Sequence, residues 1–212
     1  MAVRPLTTYA EFIQKPDAAI YQATCSLPLE KCVSHIECRL QAQDFRRHEV
    51  YARDGRTVVD ARSRDSMSIR PRHDEELAFF VFEAVHHYFE KHFLAKPSDS
   101  LVLAQHEFFA YLPGAGLRMH ADDHVLKPDG NVLTRDVQRG ITAILYLNSN
   151  FAGGEIRFPK QGLELRPSAG LLVIFPSNGN FPHEVKPILR GRRYSYQRIY
   201  GILDGRTGSF EV

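Results

Sequence analysis

No stretch of this 212-residue sequence approaches the roughly 20 consecutive apolar residues that a membrane-spanning helix needs. The opening MAVRPLTTYAEFIQKPDAAI also lacks the apolar run of a secretory signal peptide, so the expectation is a soluble, intracellular, cytoplasmic protein. Cysteine is scarce: Cys25, Cys32 and Cys38 are odd in number and clustered, which suits reduced thiols rather than a disulfide framework. With His35 they offer four zinc-ligand types. They lack the paired C-x2-C spacing, however, and Cys32 shares a helical apolar stripe with Leu29, Val33, Ile36 and Leu40, so the core reading is preferred to zinc. Excess charge is missing too. Against 25 acidic residues stand 27 basic ones, a net +2 that creates no field for non-specific nucleic-acid binding, and nucleic acid is not expected as a partner. No Gly/Ser tract or repeat divides the chain, which excludes solenoid and largely disordered organisations.

What is present is an ordinary globular composition, 43% hydrophobic and 25% charged, in a length that suits one domain. The apolar spacing predicts an amphipathic helix over residues 27–43 and a second from Pro71 to about His92. The latter buries Leu77, Phe80, Val81, Ala84, Val85, Tyr88 and Phe89. Ten histidines are many for this length, but His86, His87 and His92 crowd the second helix and are expected to face solvent. RTVVDARSRDSMSI (56–69) reads as strand-like. After Lys96-Pro97 the pattern changes to short β-branched, aromatic and leucine-rich runs punctuated by Gly, Pro and Asn. Strands are expected near 101–111, 117–122, 140–147, 154–158, 162–166, 170–175, 182–186 and 192–201. Eight short strands without helices between them favour antiparallel sheets over β-α-β units, and a double-sheet jelly roll is the economical arrangement. The expected organisation is a single domain, 1–212. In it, residues 1–99 give support helices and strands, 100–204 a mainly β, cupin-like double-stranded β-helix core, and 205–212 a tail.

Within that core, Leu117-Arg118-Met119-His120-Ala121-Asp122-Asp123-His124 contains H-x-D on an expected strand. Side chains two apart on a strand share a face, so His120 and Asp122 can hold one ion, which selects Asp122 over Asp123. H-x-D alone is common. It gains weight from Phe181-Pro182-His183-Glu184-Val185, which places a third ligand type 63 residues after His120, and from Arg193 ten residues further on. Two histidines and one carboxylate leave coordination positions open, as ferrous iron requires when it must bind both a keto acid and dioxygen. The fork of Arg193 suits the distal carboxylate of such an acid. On the last strand Arg193, Ser195 and Gln197 share one face, a polar set that needs partners if it points into a barrel.

Taken together, His120-Ala121-Asp122, His183 and Arg193 resemble the iron and 2-oxoglutarate motifs of the prolyl 4-hydroxylase-like oxygenases, which include the oxygen-sensing prolyl hydroxylases. The resemblance is dense over residues 105–202. It takes in Tyr111-Leu112-Pro113-Gly114, Arg139-Gly140-Ile141-Thr142-Ala143-Ile144-Leu145-Tyr146-Leu147-Asn148, Gly153-Gly154-Glu155 and His183-Glu184-Val185. It weakens further back, where Ser63-Arg64-Asp65-Ser66 is similar to a family Arg-x-Ser signature. The resemblance implies His120, Asp122 and His183 as iron ligands and Tyr111, Tyr146 and Arg193 as contacts to 2-oxoglutarate. Tyr146 also shares a strand face with Thr142 and Ile144, so a buried phenol there can reach into the pocket; a core tyrosine is the less favoured alternative. Arg118, two before His120, and Arg64 are candidate substrate contacts; for Arg118 a rim arginine paired with an acid reads equally well. The 123–138 segment, with a Lys127-Pro128-Asp129-Gly130 turn, suits either a lid or a surface excursion. One departure is that the family often has tryptophan on the last strand, whereas this chain has none and carries Arg198-Ile199 near that place.

The resemblance implies an iron(II)- and 2-oxoglutarate-dependent dioxygenase using O2, with ascorbate as an auxiliary reductant. It would hydroxylate an unactivated C-H bond and release succinate and carbon dioxide. Because Asp122 fills a ligand position that a halide would need, hydroxylation is favoured over halogenation. A prolyl residue in a peptide or protein is the implied substrate. A free amino acid or other small metabolite is the alternative within the class, and a non-catalytic metal-binding jelly roll, or a zinc isomerase or hydrolase on that scaffold, the alternative outside it. Arg192 and Arg198 match the R-x5-R spacing of nucleic-acid demethylases, but they follow His183 too closely.

Overall fold

The structure is a computed structural model and describes residues 20–47, 50–51, 57–58, 66–92, 100–122, 124–126, 132–134 and 139–203. Arg64, Asp123, the Lys127-Pro128-Asp129-Gly130 turn and the 205–212 tail lie outside the described residues. No helix among them is long and apolar enough to cross a membrane.

Two helices form where the apolar spacing places them. Helix α1 (Glu30–Gln41) buries Cys32 and Ile36, with Glu30 in its first turn and Arg39 in its last, each charge complementing the helix dipole. It stops where Gln43 turns left-handed at φ 54. The Asp44 N–H then reaches the Arg39 carbonyl at 2.9 Å and the Gln43 N–H the Leu40 carbonyl at 3.2 Å, satisfying acceptors the helix leaves open. Helix α2 (Glu75–His92) buries the seven apolar residues expected of it. His86 and His87 are exposed, but His92 is not a free surface group: its ring packs on Tyr88 and Tyr21 and hydrogen-bonds the Tyr21 hydroxyl. Tyr21 lies on β1 (Tyr21–Thr24), an edge strand that the sequence pattern misses.

The remaining strands run in chain order as β2 (Arg46–Arg47), β3 (Val50–Tyr51), β4 (Thr57–Val58), β5 (Ser66–Ile69), β6 (Ser100–Tyr111), β7 (Leu117–His120), β8 (His124–Leu126), β9 (Val132–Thr134) and β10 (Arg139–Tyr146). After them come β11 (Ala152–Gly153), β12 (Ile156–Phe158), β13 (Leu163–Leu165), β14 (Leu171–Pro176), β15 (His183–Val185), β16 (Ile188–Arg190) and β17 (Arg193–Leu203). Seven make the larger sheet in the order β1-β14-β10-β17-β6-β5-β2, and four make the facing sheet, β13-β12-β15-β7; every pairing is antiparallel. This is the expected double-stranded β-helix. Part of the 123–138 segment is itself a hairpin, β8 paired with β9.

Strand alternation divides the larger sheet between two cores. Phe108, Ala110, Ala143, Leu145, Leu172, Ile174, Tyr194 and Tyr196 point toward the helices and join α1 and α2 in one buried cluster. Tyr146, Val173 and Phe175 point the other way, onto Ile156, Phe158, Leu163 and Leu165 of the facing sheet. Burying each large apolar side chain stabilises the fold by about 1.5–3 kcal/mol, so the helix side anchors the sheet and leaves its inner face available for polar groups. Arg198 falls on the helix side, donating to the Tyr196 hydroxyl at 2.8 Å, which in turn donates to Asp74 at 2.6 Å. An arginine so placed points away from the barrel interior, and the R-x5-R reading of Arg192 and Arg198 loses its physical basis.

Candidate metal centre

His120 ends β7, and His183 begins β15 directly across the ladder from it. Asp122 lies not on the strand, where the H-x-D spacing places it, but in the turn just after it. The three converge nevertheless, with one ligand-type atom from each lying within 4.8 Å of the others. His120 Nε2 is 3.4 Å from Asp122 Oδ1, and His183 Nε2 is 3.9 Å from Asp122 Oδ2.

Both imidazoles are aimed by their own backbone. Nδ1–H of His120 donates to the Arg118 carbonyl at 2.9 Å, and Nδ1–H of His183 to the Phe181 carbonyl at 3.2 Å. Since a carbonyl can only accept, each Nδ1 carries the proton and each Nε2 presents its lone pair to the centre. Phe158 and Phe175 pack on the His183 ring with centroids 5.4 and 4.8 Å away. Asp122 is 7% exposed, and its Oδ2 accepts from the Thr142 hydroxyl at 2.7 Å; that hydroxyl also meets the Ser177 hydroxyl at 2.8 Å. Burial pushes the Asp122 carboxyl up, but the His183 and His120 rings when protonated, and the Thr142 hydroxyl, outweigh it and hold the group below the usual carboxylate range. Asp122 is therefore a carboxylate, and once the rings are neutral their Nε2 lone pairs face it.

A β-bulge shapes the approach. Between the His183–His120 and Val185–Leu117 pairs, β15 advances two residues and β7 three. Leu117 and His120 consequently both line the pocket, while Arg118 and Met119 are exposed. The expectation that Arg118 faces the same way as His120 fails here, because the extra residue breaks the two-residue period on which it rested.

The same pocket is lined by Phe109, Tyr111, Ile144, Tyr146, Val185, Arg193, Ser195 and Gln197, which makes it contiguous from the triad to Arg193. Arg193 is 3% exposed; its Nη1 donates to the Gly154 carbonyl at 2.9 Å, and its guanidinium lies 4.0 Å from the Tyr111 ring centroid and 5.5 Å from that of Tyr146. Its Nε has no hydrogen-bond partner, and among the described residues no carboxylate pairs with it. A buried guanidinium in that condition favours an anionic partner. Gly154, at φ 72, holds a backbone conformation that other residues rarely adopt, and a Cβ there would also lie 2.4 Å from Ile188 Cδ1, which would have to move. The Tyr146 phenol is pushed up to about 12 by burial, partly offset by Arg193, and so remains a hydrogen-bond donor.

Asn148 has a role the sequence does not announce. Its Nδ2 donates to the Arg192 carbonyl at 2.7 Å and its Oδ1 accepts from the Tyr194 N–H at 2.8 Å, so one side chain clips the backbone on both sides of Arg193. An Asn at a strand end reads as a turn signal, and nothing in the pattern separates this one. Ser177 was missed for the same reason. Cys25 and Cys32 are buried, Cys38 is exposed, and among the described residues His120, Asp122 and His183 form the one group of three fit to hold a metal; the zinc alternative fails.

A site with two imidazole nitrogens and a carboxylate, beside a buried unpaired arginine, fits ferrous iron with a bidentate, distally anionic co-ligand. Residues 106–200, the segment that builds this site, match the family model of the 2OG-Fe(II) oxygenase superfamily. Among its members the likeness is to prolyl hydroxylases. The structure resembles a Pseudomonas putida prolyl-4-hydroxylase with a TM-score of 0.62 and 25% identity, over 87% of this chain and 94% of that one. It also shares its fold with a Trichoplax adhaerens prolyl hydroxylase solved with a hypoxia inducible factor oxygen degradation domain peptide fragment, at a TM-score of 0.67 and 19% identity, over 87% and 84% of the chains. In sequence, 84 residues are 38% identical to mouse prolyl 3-hydroxylase 3, covering 35% of this chain and 12% of the mouse protein.

Proposed function

We propose that the chain is an iron(II)- and 2-oxoglutarate-dependent dioxygenase that hydroxylates a prolyl residue in a peptide or protein, releasing succinate and carbon dioxide. The observation that carries this reading is the placement of Arg193, buried with its Nε unpartnered, in the same pocket as His120, Asp122 and His183. A merely structural metal site has no use for such a cation.

In this reading His120 Nε2, His183 Nε2 and one Asp122 oxygen hold the iron, which with 2-oxoglutarate and O2 supplies oxidative decarboxylation coupled to hydroxylation of a C-H bond. Arg193 takes the distal carboxylate of the co-substrate, with Tyr146 donating its phenolic proton nearby and Tyr111 stacked on the guanidinium. Asn148 and the Gly154 carbonyl keep that guanidinium in one place. Phe109, Leu117, Ile144 and Val185 make much of the remaining wall apolar, with Ser195 and Gln197 as its polar part, and the apolar stretch limits water at the reacting centre. Prolyl substrates are proposed because the likeness in sequence and in structure is to prolyl hydroxylases, over a match that takes in 12% of the curated relative's length.

The test is anaerobic addition of Fe(II) and 2-oxoglutarate, which is expected to give the weak visible charge-transfer band of the chelate. Aerobic screening then follows succinate release with prolyl peptides and with small metabolites, and mass spectrometry locates the added oxygen. No band and no succinate with any mixture would overturn the reading; succinate stimulated by a free amino acid alone would move the substrate to the small-molecule class.

A further inference from the structure

On β6, Gln105, Glu107, Phe109 and Tyr111 alternate onto one face, and the last two line the metal pocket. Glu107 lies opposite Gln197 of β17, itself a lining residue and only 8% exposed. Facing residues in an antiparallel pair bring their Cβ atoms within about 5 Å, so the Glu107 carboxylate stands beside the Gln197 amide at the edge of the pocket lining. Neither is satisfied within it. Among the described residues the Gln197 side chain makes no hydrogen bond, and half-buried Glu107 accepts one, from Gln105 Nε2 at 3.1 Å, with no cation within ion-pair distance. Arg193 stands four residues along β17 from Gln197, about 13 Å by strand rise, and is committed to the other end of the pocket.

A mostly buried amide without a protein partner and a half-buried carboxylate without a cation are both open to one ligand group that donates hydrogen bonds and carries positive charge. We propose that Glu107 and Gln197 form a subsite for a cationic nitrogen, a protonated amine or guanidinium, on the molecule presented to the metal centre. The inference rests on the hydroxylase reading and narrows its substrate class. Glu107 supplies the charge, and the Gln197 carbonyl and amide fix the direction from which the nitrogen enters. An acidic group at that point would meet Glu107 and be rejected, so the pair acts as a filter as well as a contact.

Calorimetric titration of the full chain tests this, both metal-free and loaded with Mn(II) and 2-oxoglutarate. The probes are blocked peptides in which a prolyl residue is flanked by Lys, Ala or Glu, together with L-proline and N-acetylproline. Wild-type protein is expected to prefer a cationic probe over its neutral or acidic counterpart by roughly tenfold or more. A preference for Lys over Ala assigns the nitrogen to a peptide side chain; one for L-proline over N-acetylproline assigns it to a free amine. Glu107→Gln is expected to abolish the preference and Glu107→Lys to reverse it, with Gln197→Met weakening all cationic probes. Equal binding of charged and neutral probes, a preference that survives both Glu107→Gln and Glu107→Ala, or no binding of any probe would overturn the subsite. The anaerobic Fe(II)–2-oxoglutarate band separates the two readings. If it forms while the preference is absent, the subsite alone is wrong; if it does not form, the hydroxylase reading falls and the metal-free titration still decides the subsite.

Discussion

Thr142→Val is the most informative single change at the metal centre. The substitution keeps the β-branched shape of a side chain that is fully buried and deletes one hydroxyl, which donates to Asp122 Oδ2 at 2.7 Å and meets the Ser177 hydroxyl at 2.8 Å. A hydrogen bond to a charged group is worth about 1.5–3 kcal/mol net. The freed carboxylate oxygen should rotate away from the two imidazoles, weakening divalent-metal binding by roughly 10- to 100-fold. Stability falls as well, because Ser177 loses its hydroxyl partner in a buried place, at a cost of about 1–3 kcal/mol. The double variant Thr142→Val/Ser177→Ala separates these effects: with both hydroxyls gone no orphan remains, so thermal stability recovers toward wild type while metal affinity stays low. Competition titration of Mn(II) or Co(II) against a chromophoric chelator gives the affinity, and a thermal melt of the metal-free protein gives the stability. Metal affinity of Thr142→Val within about twofold of wild type, or its recovery in the double variant, would refute the assignment of this hydroxyl to the carboxylate.

Other changes probe the remaining parts. Asp122→Ala is expected to abolish turnover and metal binding, whereas Asp123→Ala should retain most of both; equal losses in metal titration would contradict the choice between them. Arg193→Leu should raise the 2-oxoglutarate concentration needed for half-saturation at least 100-fold, a charge-assisted pair being worth about 3 kcal/mol, while Mn(II) affinity changes little. Asn148→Leu should raise the same requirement roughly tenfold through loss of its two backbone bonds, with Arg193 itself intact; an unchanged value means the clip does not matter for co-substrate. Far from the site, Gln43→Gly should stabilise the protein by about 1 kcal/mol, or about 2–4 °C in the melting midpoint, by relieving a side chain at positive φ; no increase would show the strain is compensated.

Much of the fold was legible because the signals are local. The buried face of α2 follows from spacing alone, and the eight core strands from short runs between turn residues. The inner and outer faces of β10 and β17 follow from strict alternation. What escaped depends on partners distant in sequence. Strand β1 has four residues and no pattern of its own, and exists because β14 offers it an edge. The outward turn of Arg118 comes from a bulge fixed by pairing with β15, whose His183 lies 65 residues further along the chain. His92 looked like a surface histidine because its cover, Tyr21, comes from that same unseen strand. In the site, residue types with few alternative uses were readable: two histidines, an aspartate, an arginine. Thr142, Ser177 and Asn148 were not, since hydroxyls and amides occur everywhere and acquire meaning only from what stands opposite them.

Strand β10 carries Thr142, which grips the metal-side carboxylate, and Tyr146, which borders Arg193, four residues apart on one face. That interval, about 13 Å of extended chain, behaves as a gauge whose length is set by covalent geometry rather than by packing. Motion of the barrel that tilts or slides β10 carries both grips together, so the separation between metal and anion site is preserved through fluctuations that would detune a pocket assembled from independent loops. On the proposed roles of Arg193 and Tyr146, selectivity for the length of the keto acid becomes a property of the backbone.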